Sequence, residues 1–402
     1  MINSKEKAFW LMPGGAMQEP AARYIKSLGL KLIISDGSDN CHLRSLADYF
    51  YKVDIFDVQK NLELFNDLKQ RFNIVGIFTL AADCHNTIAS INEGNKFFLW
   101  DRKTSELCSD KSKTRLFLKD FVSQPEFVTI SEYEEISSLR GKFNDKCVVL
   151  KVPDSSGSRG FRKFQNIDLI TIEDFNSSMQ FSKLKFLIIE SYIYPTEQFI
   201  SEVSVEGIWN WSNFKIINIV DRIFPRDIHH FGNILDEYKN LNDGIEIGHV
   251  SQSLLPNKII KSIEVLMNQV GKKLNLNNKP LSTLKLDIML DQDSNPVIIE
   301  MTPRCSGGWD SSFSNIILGG DIQKSILNYL IGKYSAEETF NNINKDINYN
   351  RKCFVLGHSN SESENCIGRE FYYSFSGDNI NKLIVDSLNK RDKGDTIVPI
   401  HY

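Results

Sequence analysis

Short apolar runs alternate with amphipathic stretches over roughly the first hundred residues. The apolar runs are typical of buried strands, and the stretches between them have the spacing of about 3.6 residues that marks one face of a helix. A strand–helix–strand order predicts a parallel sheet with helices on both faces. The predicted strands are residues 8–12, 30–35, a short strand within 47–53, and 74–80, and the predicted helices are residues 18–28 and 62–72.

The pattern changes after residue 105. Here the runs 199–205 and 214–220 are predicted to be successive antiparallel strands. The predicted strands are 127–130, 147–152, 186–189, 199–205, 214–220, 352–357 and 370–375, and the predicted helices are 114–121, 131–139, 259–274 and 321–330. For the helix at 131–139 we predict a capping box of Ser131 with Glu134. Residues 221–251 are polar and predict a long loop over a site, and the Asn-rich residues 335–350 predict a linker or mobile segment.

Two apolar runs, 286–290 and 296–301, flank the polar turn 291–295, which is typical of a β-hairpin. Asp287 and Glu300 lie on opposite arms at matching distances from the turn, so we expect the two carboxylates to lie near each other. Such a pair suits one or two Mg²⁺ ions, which prefer oxygen ligands and share them with phosphates. The alternative is a surface hairpin whose acids are simply solvated.

Two further features favour a phosphate site. Lys151 lies in an apolar strand, where an unpaired charge is costly, so an anionic partner is expected. The Gly/Ser loop 155–160 that follows can present backbone N–H groups to phosphates, although an ordinary flexible loop is the alternative. Arg304 follows Glu300 closely enough to reach an anionic substrate or transition state.

Composition narrows the class of protein. At 402 residues the chain predicts two or three domains, and its net charge of −4 gives no reason to expect nucleic acid or an anionic membrane. No apolar run approaches the ~18 residues of a transmembrane helix. The seven cysteines form no CxxC pair, which favours reduced thiols in a cytoplasmic protein. Without an HxxxH pair, we expect no zinc site.

Several motifs in order resemble the ATP-grasp superfamily, and in particular its carboxylate–amine ligases. The resemblance covers residues ~8 to ~330 and rests on the following stretches: Pro13-Gly14-Gly15 through Asp36, Asp110-Lys111-Ser112-Lys113, Lys151 with 155–160, Glu190-Ser191-Tyr192-Ile193 with Glu197, Gly248-His249 with Leu254-Leu255-Pro256, and Glu300-Met301-Thr302-Pro303-Arg304 with Asp287 upstream. It implies an ATP- and Mg²⁺-dependent enzyme, with Mn²⁺ as a possible substitute. Small-molecule carboxylates and amines are the implied substrates, and a homodimer is possible.

The resemblance also implies roles for individual residues. The nucleotide would be bound by Lys113 (with Lys111 as the competing choice), Lys151, Ser155, Ser156, Gly157, Ser158, Glu190, Ser191, Tyr192, Ile193 and Glu197. Glu190 could act through its backbone, since this hinge reads adenine with main-chain groups. The implied metal ligands are Asp287, Glu300 and Thr302, the substrate residues His249, Arg304 and Gly307, and the catalytic residues Arg304 and Lys151.

Some assignments stay open. His249 could be an ordinary loop histidine, Glu202 is as easily structural as functional, and Arg222 and Arg226 could bind a carboxylate. We do not expect Cys305 to be a nucleophile, because no base is indicated nearby. The family usually has Asn where this chain has Thr302, and a hydroxyl is a shorter and poorer metal ligand than an amide oxygen.

The implied fold is a multidomain combination of α/β and α+β units. We expect a parallel-sheet pre-ATP-grasp domain at 1–105, a two-lobed ATP-grasp domain at 106–335 with a small lobe at about 145–190, and a C-terminal linker and small α+β subdomain at 336–402. The implied reaction forms an amide or peptide bond through an acylphosphate. The alternatives are another phosphoryl-transfer or carboxylating activity of this superfamily, or a non-catalytic ATP-binding module.

Overall fold

The computed structural model describes residues 5–80, 82–93, 99–143, 145–155, 159–241, 244–306, 310–358, 370–377 and 379–393. The strands are β1 (Lys7–Leu11), β2 (Lys31–Asp36), β3 (Tyr49–Lys52), β4 (Asn73–Phe78), β5 (Phe127–Ile130), β6 (Val148–Lys151), β7 (Arg162–Phe164), β8 (Leu187–Ser191), β9 (Glu202–Asn210), β10 (Asn213–Ile223), β11 (Gly248–Ser251), β12 (Ser282–Leu290), β13 (Pro296–Thr302), β14 (Lys352–His358) and β15 (Glu370–Gly377). The helices are α1 (Glu19–Ser27), α2 (Val58–Arg71), α3 (His85–Asn92), α4 (Arg102–Cys108), α5 (Lys111–Leu118), α6 (Arg140–Phe143), α7 (Ile172–Met179), α8 (Asn257–Lys273), α9 (Asn315–Ile317), α10 (Ile322–Leu330), α11 (Ala336–Asn342) and α12 (Ile380–Asp392).

The N-terminal sheet has the strand order β3-β2-β1-β4, and all of its pairings are parallel. The apolar runs of β1 and β2 are buried because helices cover the sheet, as the strand–helix alternation predicted. Gly76 on β4 allows the Phe9 ring to pack against the strand, because a Cβ there would lie 2.3 Å from the ring.

Two antiparallel sheets follow. The first, with the order β5-β8-β6-β7, is the small lobe, and the second, with the order β13-β12-β9-β10-β11-β14-β15, is the large lobe. Helix α8 packs the apolar stripe of Ile263, Met267 and Val270 against the large lobe. The expected combination of a parallel domain with antiparallel lobes is therefore confirmed.

The C-terminal strands extend the large lobe rather than forming a sheet of their own. β14 pairs with β11, and β15 pairs with β14. Gly248 makes this pairing possible, because a Cβ at that position would lie 2.4 Å from the carbonyl oxygen of Val355. Helix α12 covers the added strands with the buried side chains Leu383 and Ile384. The division of the chain at 105 and 335 stays a prediction.

Residues 221–251 are not the single long loop that polarity predicted. Their first residues extend β10, their last ones form β11, and the 3-10 helices Pro225–Phe231 and Asp236–Tyr238 lie between. Asp227 holds this connection by accepting hydrogen bonds from the backbone N–H of Phe224 at 3.1 Å and of Ser201 at 3.0 Å. Short helical turns held by such side-chain contacts have too few residues to show a helical pattern of apolar positions, so the sequence did not predict them.

Two smaller predictions were also wrong. The segment 335–350 contains helix α11, which begins with a capping box of Ser335 and Glu338. Near residue 131 the capping acid is Glu135 and not Glu134, because the Oε1 of Glu135 accepts from the backbone N–H groups of Ser131 and Glu132 at 2.7 and 2.8 Å.

Among the helices of the described residues, none is both long and apolar enough to cross a bilayer.

Candidate active site

The hairpin of β12 and β13 places Asp287 directly opposite Glu300. A register shift between Asp287 and Ile288 bends the ladder next to this pair, and such bulges often re-aim side chains beside active sites. The two residues are therefore paired across the ladder, as their distances from the turn predicted.

Asp287 lies beside two positively charged side chains. Its side chain is 6% exposed, and its Oδ2 lies 2.7 Å from the Nζ of Lys285 and 3.6 Å from Nη1 of Arg222. Burial alone would raise the pKa of Asp287, but Lys285 and Arg222 hold it below its ordinary value. Within the described residues its Oδ1 has no hydrogen-bond partner. An ionised, buried carboxylate oxygen without a partner is suited to a cation.

Glu300 is contacted from the neighbouring helix α5. The Nζ of Lys111 lies 3.0 Å from Oε1 of Glu300, and it also donates to the carbonyl oxygen of Ser155 at 2.6 Å. The backbone N–H of Lys111 donates to the carbonyl oxygen of Pro153 at 3.0 Å. Helix α5 therefore begins at the junction of the hairpin and the loop that follows β6.

A buried ionic network lies next to this junction. The Nζ of Lys151 on β6 lies 2.7 Å from Oε2 of Glu190 on β8, and Nε of Arg115 on α5 lies 2.8 Å from Oε1 of Glu190. Burial alone would raise the pKa of Glu190, but Arg115 and Lys151 together lower it to about 2. For Lys151, burial is the largest influence and lowers the pKa. Glu190 is therefore a fixed negative charge that orients Lys151.

The predicted adenine hinge follows β8. The backbone N–H of Ser191 donates to the carbonyl oxygen of Glu126 at 2.9 Å, and that of Tyr192 donates to the carbonyl oxygen of Cys147 at 2.8 Å. These two N–H groups are therefore engaged within the small lobe. Glu197 is exposed, whereas Ile193 is partly buried.

A second charged cluster lies on β9, β10 and β11. Arg222 contacts Glu202 at 2.6 Å and Glu246 at 3.0 Å, in addition to Asp287. His249, with its side chain 5% exposed, places Nδ1 3.5 Å from the Oε1 of Glu246. The structure thus brings His249 to the carboxylates around Asp287, through Glu246 and Arg222.

Arg226 completes the cluster, with its Nη2 2.8 Å from Oε2 of Glu202. Glu202 therefore lies between two guanidinium groups. Both arginines are therefore ion-paired with carboxylates of the chain.

Arg304 joins the hairpin to the N-terminal domain. Its Nη2 lies 2.5 Å from Oδ1 of Asp83, and its Nη1 donates to the carbonyl oxygen of Cys305 at 2.7 Å. Thr302, two residues earlier at the end of β13, is also buried. Burial raises the pKa of the Cys305 thiol well above its ordinary value, so a nucleophilic thiolate is disfavoured there.

No protein-family model and no curated protein matches this sequence, but solved structures match its fold. An L-amino acid ligase from Bacillus licheniformis has a TM-score of 0.64 at 15% identity, covering 89% of this chain and 80% of its own. The ADP complex of purK, an N5-carboxyaminoimidazole ribonucleotide synthetase, has a TM-score of 0.65 at 13% identity and covers 98% of both chains. The biotin carboxylase domain of Hydrogenobacter thermophilus 2-oxoglutarate carboxylase, solved with MgADP and bicarbonate, has a TM-score of 0.66 at 16% identity, covering 92% and 78%.

The chain has the ATP-grasp fold. At these identities the likeness concerns the fold, and the chemistry has to be argued from the residues.

The residues at the hairpin of this ATP-grasp fold fit a Mg²⁺ ion. Asp287 and Glu300 offer carboxylate oxygens from facing strands, and Oδ1 of Asp287 is the buried oxygen without a partner. The described residues hold no cluster of three His, Cys, Asp or Glu side chains that could hold a metal. Mg²⁺ is commonly held by one or two carboxylates and completed by phosphates and water.

The two candidate lysines of α5 lie in different surroundings. Lys111 contacts Glu300, whereas Lys113 is exposed. Residues two positions apart lie about 200° apart around a helix, so only one of them can face the hairpin. The geometry favours Lys111. The predicted residues Ser156, Gly157, Ser158 and Gly307 lie outside the described residues, while Ser155 is described and contacts Lys111.

Sequence reasoning missed several residues of the site: Arg115, Lys285, Glu246 and Asp83. Two of them carried a signal. Arg115 is four residues after Lys111 and so shares its helical face, and Lys285 is two residues before Asp287 and so shares its strand face. Glu246 and Asp83 reach the site only through tertiary packing, so their positions could not be predicted from local sequence spacing.

Proposed function

We propose that this protein is an ATP-dependent carboxylate–amine ligase that forms an amide or peptide bond through an acylphosphate, with ADP and phosphate as products. The observation that carries the proposal is the arrangement of Asp287 opposite Glu300 with Lys111 between Glu300 and the loop after β6. Acids for a metal ion and cations for phosphates thus converge between the two lobes of an ATP-grasp fold.

The nucleotide would lie between the lobes. Lys111 and Lys151 face this space from α5 and β6, and both are partly buried, with side chains 17% and 14% exposed. Ammonium groups held in a partly water-excluded site interact strongly with phosphate oxygens. On binding, we expect Lys111 to leave Glu300 for the triphosphate, which frees that carboxylate for the metal.

Bound at Asp287 and Glu300, Mg²⁺ would neutralise the phosphate charge that develops during transfer. The protein's own contribution is to hold the two acids in register. Lys285 and Arg222 keep Asp287 ionised and oriented, and the ladder between β12 and β13 keeps Glu300 across from it. Thr302 could supply a hydroxyl, but only as a weak further ligand.

The reaction proceeds in two displacements. A substrate carboxylate oxygen attacks the γ-phosphorus, and the bond to the β-γ bridging oxygen breaks, so that ADP leaves. The amine nitrogen then attacks the acyl carbon of the acylphosphate, phosphate departs, and the nitrogen loses its proton to solvent. Arg304 would stabilise the tetrahedral oxyanion, because its guanidinium is held in place by Asp83 and by the carbonyl of Cys305.

The substrate side suits small molecules that carry both charges. Arg222, Arg226 and Lys285 alternate there with Glu202, Glu246 and Asp287. His249 beside Glu246 adds a group that can donate to a carboxylate or accept from an amine. We therefore infer substrates that carry both a positive and a negative charge, as amino acids do, for at least one of the two positions.

The test is a screen of phosphate release from MgATP. The protein is incubated with single carboxylates, single amines and pairs of the two, and products are identified by mass. A ligase releases ADP and phosphate and forms an amide only when both partners are present. Nucleotide binding without turnover across the whole panel would instead favour a non-catalytic ATP-binding module.

Bicarbonate activation is the second candidate, because the 2-oxoglutarate carboxylase domain matches this fold as well as the amino acid ligase does, with TM-scores of 0.66 and 0.64. The same screen separates the two. Phosphate release that requires bicarbonate, with a carboxylated product and no dependence on a second acid, would replace the ligase proposal.

A further inference from the structure

Arg115 is buried more completely than any other described arginine, with 0% of its surface exposed. Its guanidinium makes four hydrogen bonds that satisfy both of its sides. Nε and Nη2 donate to the Glu190 carboxylate at 2.8 and 3.3 Å, while Nη1 and Nη2 donate to the carbonyl oxygens of Ile298 and Ile299 at 2.9 and 3.1 Å.

These partners belong to different lobes. Glu190 is on β8 of the small lobe, and Ile298 and Ile299 are on β13 of the large lobe, immediately before Glu300. The carbonyls are part of the backbone of a paired strand, so they form the rigid end of the link. The Glu190 carboxylate also accepts a hydrogen bond from Nζ of Lys151, at Oε2 and 2.7 Å. The position of this carboxylate therefore sets the position of Lys151.

The chain of contacts therefore runs from the hairpin through Arg115 and Glu190 to the ammonium of Lys151. Arginine is suited to this task because its planar fork donates in several fixed directions, whereas a lysine ammonium is a single point of charge. Without the fork, Glu190 keeps Lys151 but loses its tie to the hairpin that holds Asp287 and Glu300.

We propose that Arg115 is a positioning residue of the nucleotide site, which sets the location of Lys151 relative to the metal-binding hairpin by way of Glu190. This inference rests on the proposed function, because it takes the space between the lobes to be the phosphate site. Arg115 itself does not contact the nucleotide in this account.

The experiment is a double-mutant cycle read out as the dissociation constant of MgADP. Arg115→Lys retains the charge and removes the fork, and it is measured in the wild-type background and in a Lys151→Ala background. Arg140→Lys is the matched control, since Arg140 is an exposed arginine of the small lobe that pairs with Asp168 at 2.5 Å. Binding is measured by calorimetry at 10 °C, with the folded fraction determined from thermal melts.

We expect Arg115→Lys to weaken MgADP binding at least tenfold in the wild-type background and less than threefold when Lys151 is already alanine, because the effect passes through that lysine. Arg140→Lys should bind as the wild type does. A purely structural arginine would lower the melting temperature and leave the dissociation constant of the folded protein unchanged, and that result would overturn the proposal. An equal loss in both backgrounds would overturn it too.

The outcomes separate this proposal from the broader one. If neither the wild type nor Arg140→Lys binds MgADP, the nucleotide site itself is wrong. If both bind and Arg115→Lys binds equally well, only the positioning role is wrong. Should Arg115→Lys fail to fold, Glu190→Asp takes its place, because the shorter acid retains the charge but cannot reach both Arg115 and Lys151. The same tenfold loss and the same dependence on Lys151 are then expected, and their absence rejects the proposal.

Discussion

Lys111 on helix α5 places its ammonium 3.0 Å from the carboxylate of Glu300, while the same ammonium donates to the carbonyl oxygen of Ser155 at 2.6 Å. One side chain thus connects the hairpin of β12 and β13 with the loop after β6. This contact distinguishes Lys111 from Lys113, which is exposed on another face of the helix.

The first prediction concerns these two lysines. Lys111→Ala should weaken MgADP binding by about 10- to 100-fold, because a hydrogen bond to a charged group contributes about 1.5–3 kcal/mol and about 1.4 kcal/mol corresponds to tenfold. Lys113→Ala is the matched control and should bind normally. Calorimetric titration measures both, and a larger loss for Lys113→Ala would restore the original assignment.

The second prediction concerns Arg304. Arg304→Ala should lower turnover by about 100-fold or more while MgADP still binds, since removing one preorganised donor costs about 2.7–4 kcal/mol of barrier. Phosphate release with an active acid and amine pair measures the rate. Because the same change breaks the contact with Asp83, Asp83→Asn serves as the comparison variant. If Arg304→Ala turns over normally, its role in stabilising the oxyanion is wrong.

The third prediction concerns Thr302, which stands where the resemblance leads us to expect asparagine. Thr302→Asn should lower the Mg²⁺ concentration needed for half-maximal nucleotide binding, because an amide oxygen reaches farther and is a better ligand than the hydroxyl. Thr302→Val retains the branched shape and removes the hydroxyl. If Thr302 supplies no ligand, valine should leave the Mg²⁺ requirement unchanged. A higher Mg²⁺ requirement for Thr302→Asn would contradict the prediction.

The fourth prediction is a pH dependence of stability that involves His85. This histidine is 2% exposed and hydrogen-bonds Ser109 at 2.9 Å, and burial lowers its pKa to about 4. In the unfolded chain the pKa returns to about 6.5, so between these values the unfolded state binds a proton that the folded state does not. His85 therefore contributes stability above pH ~6.5 that is lost as the pH falls toward about 4, with a slope of up to about 1.4 kcal/mol per pH unit.

His85→Gln removes this titration and retains a side chain that can hydrogen-bond Ser109. Urea unfolding at intervals between pH 7 and pH 4.5 should show a shallower loss of the free energy of unfolding in the variant than in the wild type. Identical slopes would show that folding does not lower the pKa of His85, contrary to its buried environment.

Much of the fold could be predicted because local patterns decide it. Two apolar runs around a polar turn defined the hairpin of β12 and β13, and counting outward from the turn placed Asp287 opposite Glu300. The parallel N-terminal sheet followed from strand–helix alternation, and the apolar stripe of α8 predicted a core face. In each case one element or one turn carries the information.

The remainder depends on tertiary packing. Periodicity shows that 352–357 is a strand but not which sheet it joins, and β14 joins the large lobe because Gly248 leaves room for it. The choice of Lys111 over Lys113 depends on which face of α5 lies against the hairpin, and this is seen only in the structure. Arg115 shares a helical face with Lys111, but its partners could not be predicted, because Glu190 and Ile298 lie 75 and 183 residues away along the chain.

The most direct test of the central claim is a crystal structure of the protein with Mg²⁺ and a non-hydrolysable ATP analogue. The account predicts a divalent ion bound by carboxylate oxygens of both Asp287 and Glu300 and by phosphate oxygens, with Lys111 and Lys151 on the phosphates. A triphosphate bound elsewhere, or Asp287 and Glu300 still paired only with Lys285 and Lys111 beside a bound nucleotide, would contradict it.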